Sequence, residues 1–317
     1  MDQSSITLSV CMITYKHSEF LATAIEGVLI QETNFKVELI ISDDASPDRT
    51  EEVVQKYLNK SNGSIEIVYH KHSINMGAIP NFEWTLKQCS GKYIAICEGD
   101  DYWTDPDKLQ RQVDFLENNS KYVLSFHDRS VVNTKGELLR KSSLPTSIKR
   151  DLNFSDLAQG VFTVPTQTVV FRNCIRNFPK DFSSVLNGDT FLFLLLAEKG
   201  SFYYEKEISG TSYRVHNGGV WSSINYEKSL KEAFKTYNFI YNHFNKNPLL
   251  SRPLLNRRFG LLSYYWKKNK IKNFTAEFKG IVELIIVNPK LSNYFLTKSF
   301  KYLLSPLRSK RNNLPVD

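Results

Sequence analysis

A chain of 317 residues with 41 Lys+Arg against 33 Asp+Glu can bury a full core, and its length suggests about two domains. The cations are uneven: residues 1–229 hold 24 against 29 acids and residues 230–317 hold 17 against 4, so a mildly acidic body precedes a basic tail suited to lipid headgroups or nucleic acid. No apolar run approaches the ~18 residues that span a bilayer, and the four cysteines show no zinc spacing. Met1–Ser5 lacks the basic start of a signal peptide, so a reducing, cytoplasmic setting is expected.

In chain order, Ile6–Thr14 predicts a buried strand and Phe20–Ile30 a helix. Val37–Ser42 predicts a second strand ending in Asp43-Asp44; Asp48 as N-cap with Glu51 three residues on predicts a capping box at the next helix. Ile65–Tyr69 reads as a strand, Pro80–Gln88 as a helix, and Tyr93–Cys97 as a strand running into Glu98-Gly99-Asp100-Asp101. Asp105-Pro106 is expected to open a helix reaching Asn118, followed by a strand over Val123–Phe126. This alternation predicts an α/β fold with a mostly parallel sheet. Farther on, Lys135–Asp156 reads as a flexible polar loop over the site, Thr166–Phe171 as a strand, Asp189–Glu198 as a helix, and Phe202–Val215 as strand-like. From about Ser229 the pattern is helical, with aromatic and aliphatic positions interleaved by Lys and Arg.

Three strand ends carry the chemistry. The strand Ile94–Cys97 delivers three carboxylates and one glycine onto a turn, as a metal–diphosphate site requires, because hard cations prefer oxygen ligands. A solvated acidic turn is the other reading of that run taken alone. Thr14-Tyr15 and Asp43-Asp44-Ala45-Ser46 close two further strands on the same carboxyl edge, where open α/β sheets bind ligands. Gly188-Asp189-Thr190 opens a helix, a position that suits a general base and equally a first-turn acid complementing the helix dipole.

The ordered set Ile13-Thr14-Tyr15-Lys16, Asp43-Asp44-Ala45-Ser46, and Glu98-Gly99-Asp100-Asp101 followed by Pro106-Asp107-Lys108-Leu109 resembles the family-2 glycosyltransferases of the GT-A fold, over roughly residues 6–225. It departs from the family pattern in Glu98 for the first acid, in Lys16 for asparagine, and in lacking a proline before Thr14. The resemblance implies a GT-A catalytic domain over 1–228, with nucleotide-binding residues to about 130 and acceptor-binding residues after them. Residues 229–317 would form a helical extension. It implies that Thr14 and Tyr15 line the base and ribose, and that Asp43 or Asp44 accepts a hydrogen bond from the base, as from N3–H of uracil. Asp100, with Glu98 or Asp101, would hold Mn²⁺ or Mg²⁺ against the diphosphate. Asp189 would be the base of an inverting transfer. Tyr213-Arg214-Val215-His216 resembles the family's YRxH segment, with Arg214 on phosphate charge and His216 on metal or leaving phosphate. Trp103 and Trp221 would stack on sugar rings, His127 would face the acceptor, and Thr166 and Gln167, with Arg172 on the same strand, would position it.

The activity so implied is sugar transfer from a nucleotide sugar, UDP-linked, to a glycan or lipid-linked acceptor in bacterial surface-polysaccharide assembly. A sugar-phosphate nucleotidyltransferase would use a similar pocket, but it brings a glycine-rich phosphate loop that Thr14-Tyr15-Lys16-His17 lacks. A non-catalytic nucleotide- or membrane-binding relative is the third reading. In the tail, Phe259–Lys268, Leu291–Leu307 and Arg308–Arg311 mix aromatics with cations, a composition that suits the inner face of a plasma membrane or a helical appendage with a solvated basic face. No nucleic-acid-binding signature accompanies the charge.

Overall fold

A computed structural model describes residues 6–58, 60, 64–160, 164–219 and 224–304. The nucleotide-side elements run β1 (Leu8–Thr14), α1 (Leu21–Leu29), β2 (Val37–Asp43), α2 (Thr50–Gln55), β3 (Ile65–Lys71), α3 (Ala78–Gln88), β4 (Tyr93–Ile96), β5 (Tyr102–Trp103), α4 (Lys108–Asn118) and β6 (Tyr122–Phe126). There follow β7 (Ser130–Val132), β8 (Leu138–Arg140), α5 (Phe154–Ala158), β9 (Val170–Arg172), α6 (Gly188–Ala197), β10 (Ser201–Tyr204) and β11 (Thr211–Arg214). Four helices close the described chain: α7 (Tyr226–His243), α8 (Pro248–Lys267), α9 (Ile271–Val287) and α10 (Leu291–Leu304).

Seven strands form the central sheet in the order β10-β6-β9-β4-β1-β2-β3. Only β9 runs antiparallel to its neighbours, so the expected mostly parallel sheet is present. Strands covered on both faces carry side chains to two cores. Leu8, Val10 and Met12 of β1 join Ile25, Val54 and Val113 on the face of α1, α2 and α4. Cys11 points the other way, into a core with Phe82, Phe171 and Leu192. That second core continues without a break into Tyr237, Ile240, Leu254, Phe259, Ile281 and Leu284 of the helical region.

A smaller sheet, β5-β11-β7-β8, stands beside the first. The acidic turn is the bridge between the two, because β4 ends in the central sheet and β5 begins in the small one.

Several local expectations change. No capping box opens α2: Asp48 accepts from the N–H and hydroxyl of Thr50 and from the N–H of Ser18, while Glu51 pairs with Lys71. A capping box does form at α5, between Asn153 and Asp156. Helix α4 starts at Lys108, because the preceding turn is tied to the end of α1: the Gln31 amide donates to the Asp105 carbonyl and Glu32 N–H to the Pro106 carbonyl. Residues Lys135–Asp156 are no free loop. Leu144, Ile148 and Leu152 are buried, and Asp128 accepts the N–H groups of Arg129, Ser143 and Leu144. Thr166–Thr168 is a 3₁₀ turn ahead of β9. The stretch Phe202–Val215 divides into β10 and β11, which belong to different sheets. Among the described residues, no helix is long and apolar enough to cross a membrane.

Candidate active site

Two adjacent loops form the first wall. After β1, Lys16 takes a left-handed backbone (φ 58°), and after β2 Ala45 does the same (φ 57°). Such conformations persist in non-glycine residues only where the surroundings hold them. Here Lys16 N–H donates to Ser46 Oγ, and Asp44 N–H to the Thr14 carbonyl. Asp43 accepts from Ser46 N–H at 2.8 Å and from the Tyr69 hydroxyl at 3.0 Å. Asp44 accepts from Met76 N–H at 2.7 Å and Gly77 N–H at 2.9 Å. Both carboxylates are buried, and each shapes the loops through both of its oxygens. Tyr15 is the exposed ring of this wall, with the Lys16 ammonium 5.1 Å from its centroid.

The acidic turn abuts these loops. Gly99 N–H donates to the Ile13 carbonyl, and a Cβ at Gly99 would lie 2.8 Å from Thr14 Oγ1 and 3.2 Å from His17 Nδ1. Only glycine permits that approach. One oxygen each from Glu98, Asp100 and Asp101 lies within 4.8 Å of the others, and a second trio within the same limit joins His17, Asp100 and His216. His216 Nε2 donates to Asp100 Oδ2 at 2.9 Å, and His17 Nε2 lies 3.8 Å from the same oxygen.

Crowded carboxylates perturb one another. Burial, then the charges of Asp100 and Asp189, pushes Glu98 up from the ordinary carboxylate range. Burial, then Asp100 and Glu98, also raises Asp101. Burial would raise Asp100 as well, but the His216 hydrogen bond and the His17 charge outweigh it and hold it low. Burial lowers His17 against the pull of Asp100. Asp101 Oδ2 is buried with no hydrogen-bond partner. An orphaned carboxylate oxygen beside two further acids and two imidazoles is a donor set that fits a divalent cation of the Mg²⁺ or Mn²⁺ kind.

Asp189 stands in the first turn of α6. Its Oδ1 accepts Thr190 N–H at 2.7 Å, and its Oδ2 lies 3.5 Å from the Thr166 hydroxyl. Burial raises it against those bonds, which makes it a stronger base than a surface aspartate. Asp189 and Glu98 sense each other electrostatically, so the base candidate and the acidic turn border one site.

Four sequence-level assignments are corrected. Arg214 offers no free fork to a phosphate: its buried guanidinium donates through Nε and Nη1 to the carbonyls of Asp100, Asn133 and Thr134, while its own N–H donates to Asp101 Oδ1. It positions the acidic turn from β11. Trp103 is buried in the core, with its indole N–H on the Gln167 carbonyl and Lys108 Nζ 4.3 Å from its ring, so no sugar stacks there. His127 is sealed from solvent, Nδ1 against the Asp128 carbonyl and Nε2 3.5 Å from Thr211 Oγ1, and does not face an acceptor. Arg172 pairs with Tyr93 at the opposite edge of the sheet. Thr166 borders Asp189 as expected. Gln167 is buried, its side-chain amide oxygen Oε1 accepting from Arg129 Nη1. Trp221 lies outside the described residues.

Two residues escaped the sequence reading. His17 enters the cluster three residues beyond the end of β1. Arg129, 4.2 Å over the Tyr213 ring, is the cation whose charge opposes the rise of Glu98 and Asp101. Both follow strand carboxyl ends, so the rule that singled out the acids reaches them too.

An open α/β sheet with an acidic, imidazole-flanked cluster at its carboxyl edge is the place where such sheets bind ligands, with donors of the kind that suit a hard cation. Comparison with known proteins gives the family. Residues 9–178, more than half of the chain, match the family model of glycosyl transferase family 2. An uncharacterized protein of Mycobacterium tuberculosis is 33% identical over 219 residues, 68% of this chain and 61% of that protein, so the match spans about three fifths of that relative's length. The Escherichia coli UDP-Glc:alpha-D-GlcNAc-diphosphoundecaprenol beta-1,3-glucosyltransferase WfaP is 25% identical over 216 residues, 67% of this chain and 79% of WfaP. Among solved structures, S. aureus TarS 1-349 in complex with UDP-GlcNAc superposes with a TM-score of 0.68 at 17% identity, covering 94% of this chain and 89% of that one. The chain belongs to glycosyl transferase family 2 and has the GT-A fold.

Proposed function

We propose that this protein is an inverting, metal-dependent glycosyltransferase that moves a hexosyl or hexosaminyl unit from a UDP-sugar to a hydroxyl of a glycan or lipid-linked saccharide, in assembly of cell-surface polysaccharide. The observation that carries the reading is the convergence of Glu98, Asp100 and Asp101 with His17 and His216, bordered by Asp189. The UDP-GlcNAc bound by TarS and the donor and acceptor in the name of WfaP support the substrate classes.

Asp100 and Asp101, with Glu98, His17 or His216, would hold the cation, which when bound supplies positive charge against the diphosphate. Tyr15 offers a ring to the base, beside the loops that Asp43 and Asp44 hold. Asp189 takes the proton of the acceptor hydroxyl as its oxygen attacks the anomeric carbon. The bond from that carbon to the β-phosphate oxygen breaks, the electron pair leaves with UDP, and the configuration inverts. Thr190 and Thr166 hold the Asp189 carboxylate in place. The setting would be the cytoplasmic face of the plasma membrane.

The test is thermal denaturation of the full chain with UDP, GDP, dTDP or ADP, each with and without Mn²⁺. A ligand at about 100 times its Kd adds about 2.7 kcal/mol to a native state it binds alone, which raises Tm by about 4 °C for a chain of this length. UDP is expected to do so only with the metal. Stabilisation by another nucleotide instead would reassign the donor, and no response to any would overturn the reading.

A further inference from the structure

The exposed face of α9 holds none of the residues assigned to the site. Ile271, Phe278, Val282 and Ile286 recur at intervals of seven, four and four and so share one side of the helix. All four are exposed, Ile271 at 75% and Ile286 at 71%. At its start the stripe meets Trp266 of α8, 58% exposed, through an aromatic ladder: Trp266 to Phe274 at 5.4 Å and Phe274 to Phe278 at 6.4 Å between centroids. Ile281 and Leu284, on the opposite side, enter the core. The helix is therefore already anchored, and its outer apolar stripe is surplus to folding. Contiguous exposed apolar surface of this kind marks an interaction site.

Charge selects the partner. Lys272 and Lys279 each follow a stripe residue by one position, which sets them along one border of the stripe. Lys268 and Lys290, both exposed, flank the ends of the helix. Of the helix's two acids, Glu277 pairs with Arg258 at 2.9 Å, and Glu283 is exposed 4.0 Å from Lys279, leaving the lysines of the helix and its ends in excess. A second copy would bring the same cations face to face, which opposes self-association. An anionic bilayer surface matches both features, since Trp and Phe settle at headgroup depth and lysines meet lipid phosphate.

We propose that α9 and the α8–α9 turn dock the protein on an anionic lipid surface, with Trp266, Ile271, Phe278, Val282 and Ile286 entering the interface and Lys268, Lys272 and Lys279 on the headgroups. This deepens the functional reading only by supplying the surface on which a lipid-linked acceptor would lie. It is measured without donor or acceptor, so either idea can fail while the other stands.

The experiment is co-sedimentation of the full chain with phosphatidylglycerol-containing vesicles and with pure phosphatidylcholine vesicles, at low and high salt. Binding is expected on the anionic vesicles alone and is expected to weaken as salt screens the lysines. The pair Phe278→Glu and Ile286→Glu, and separately the trio Lys268→Gln, Lys272→Gln and Lys279→Gln, should each weaken partitioning by about tenfold or more. Since every changed side chain is exposed, an unaltered circular-dichroism melt certifies each variant as folded. Absence of binding to anionic vesicles, or equal binding by folded variants, overturns the proposal. So does a dimer in sedimentation velocity that Phe278→Glu abolishes while vesicles bind nothing, because the face then belongs to a second copy.

Discussion

Asp189 illustrates how one residue serves two ends. A first-turn acid complements the dipole of α6, and burial keeps the same carboxylate a better proton acceptor than usual. Replacing it with Asn preserves shape and the Thr190 contact while removing basicity. Asp189→Asn is expected to lower kcat by about 10²–10⁴-fold and to leave UDP-induced stabilisation within about twofold in apparent Kd, read from turnover assays alongside thermal shifts. His127 predicts a pH effect on stability. Burial first, and then the neighbouring Lys108, hold its ring down to about 3, against the pull of Asp128. An unfolded histidine titrates at about 6.5, so below that pH the unfolded chain binds a proton that the native state refuses. Stability is therefore full above about 6.5 and falls as the pH drops toward about 3, with a loss of about 2 kcal/mol by pH 5. Lys108, lowered to about 7 by burial, adds slope only above that pH. Urea unfolding at pH 7.5 and pH 5 should show His127→Gln losing about 2 kcal/mol less than the parent over that interval.

Between elements, the contact that matters most joins the α/β body to the helical region. Asn187, which precedes α6, accepts the Thr236 hydroxyl of α7 at 3.3 Å, and Phe191 of α6 meets His243 edge-on at 5.3 Å. The helix that carries Asp189 thus rests on α7. Gly160, just after α5, has φ +61°, and a Cβ there would lie 2.9 Å from Pro253 and 3.0 Å from the Tyr237 hydroxyl. Gly160→Ala combines a left-handed backbone with overpacking against α7 and α8. It should cost about 1–3 kcal/mol in urea denaturation, whereas an effect near zero would mean that these helices stand apart from the body.

For the whole molecule, the continuity of the second core from Phe82 and Phe171 through Leu192 to Phe259 and Leu284 sets how the chain can be cut. Ending it at residue 228 would strip the cover from α5 and α6 and expose large apolar side chains. Such a fragment is expected to lose cooperative unfolding by circular dichroism and to show no UDP-induced stabilisation, even though every acid of the site is retained.

Much of this architecture was legible in the residues: buried strand, turn, helix, and the acids after β2 and β4 are local patterns, so β1, β2, β4 and their loops stand where expected. Arg214, Trp103 and His127 were misread for one reason. Their surroundings are supplied by segments far away in the chain: β11 pairs with β5 and β7, and the Trp103 indole reaches Gln167. A guanidinium looks free in a sequence; here Asp100, Asn133 and Thr134 supply the carbonyls that hold it. The sequence by itself determined the order of elements, the shared edge of the acids and the basic tail, because backbone propensity, side-chain period and charge act over a few residues. Tertiary structure alone decided which polar groups keep a lone pair or a donor for a ligand, because burial and hydrogen bonding are settled by neighbours far away in the chain.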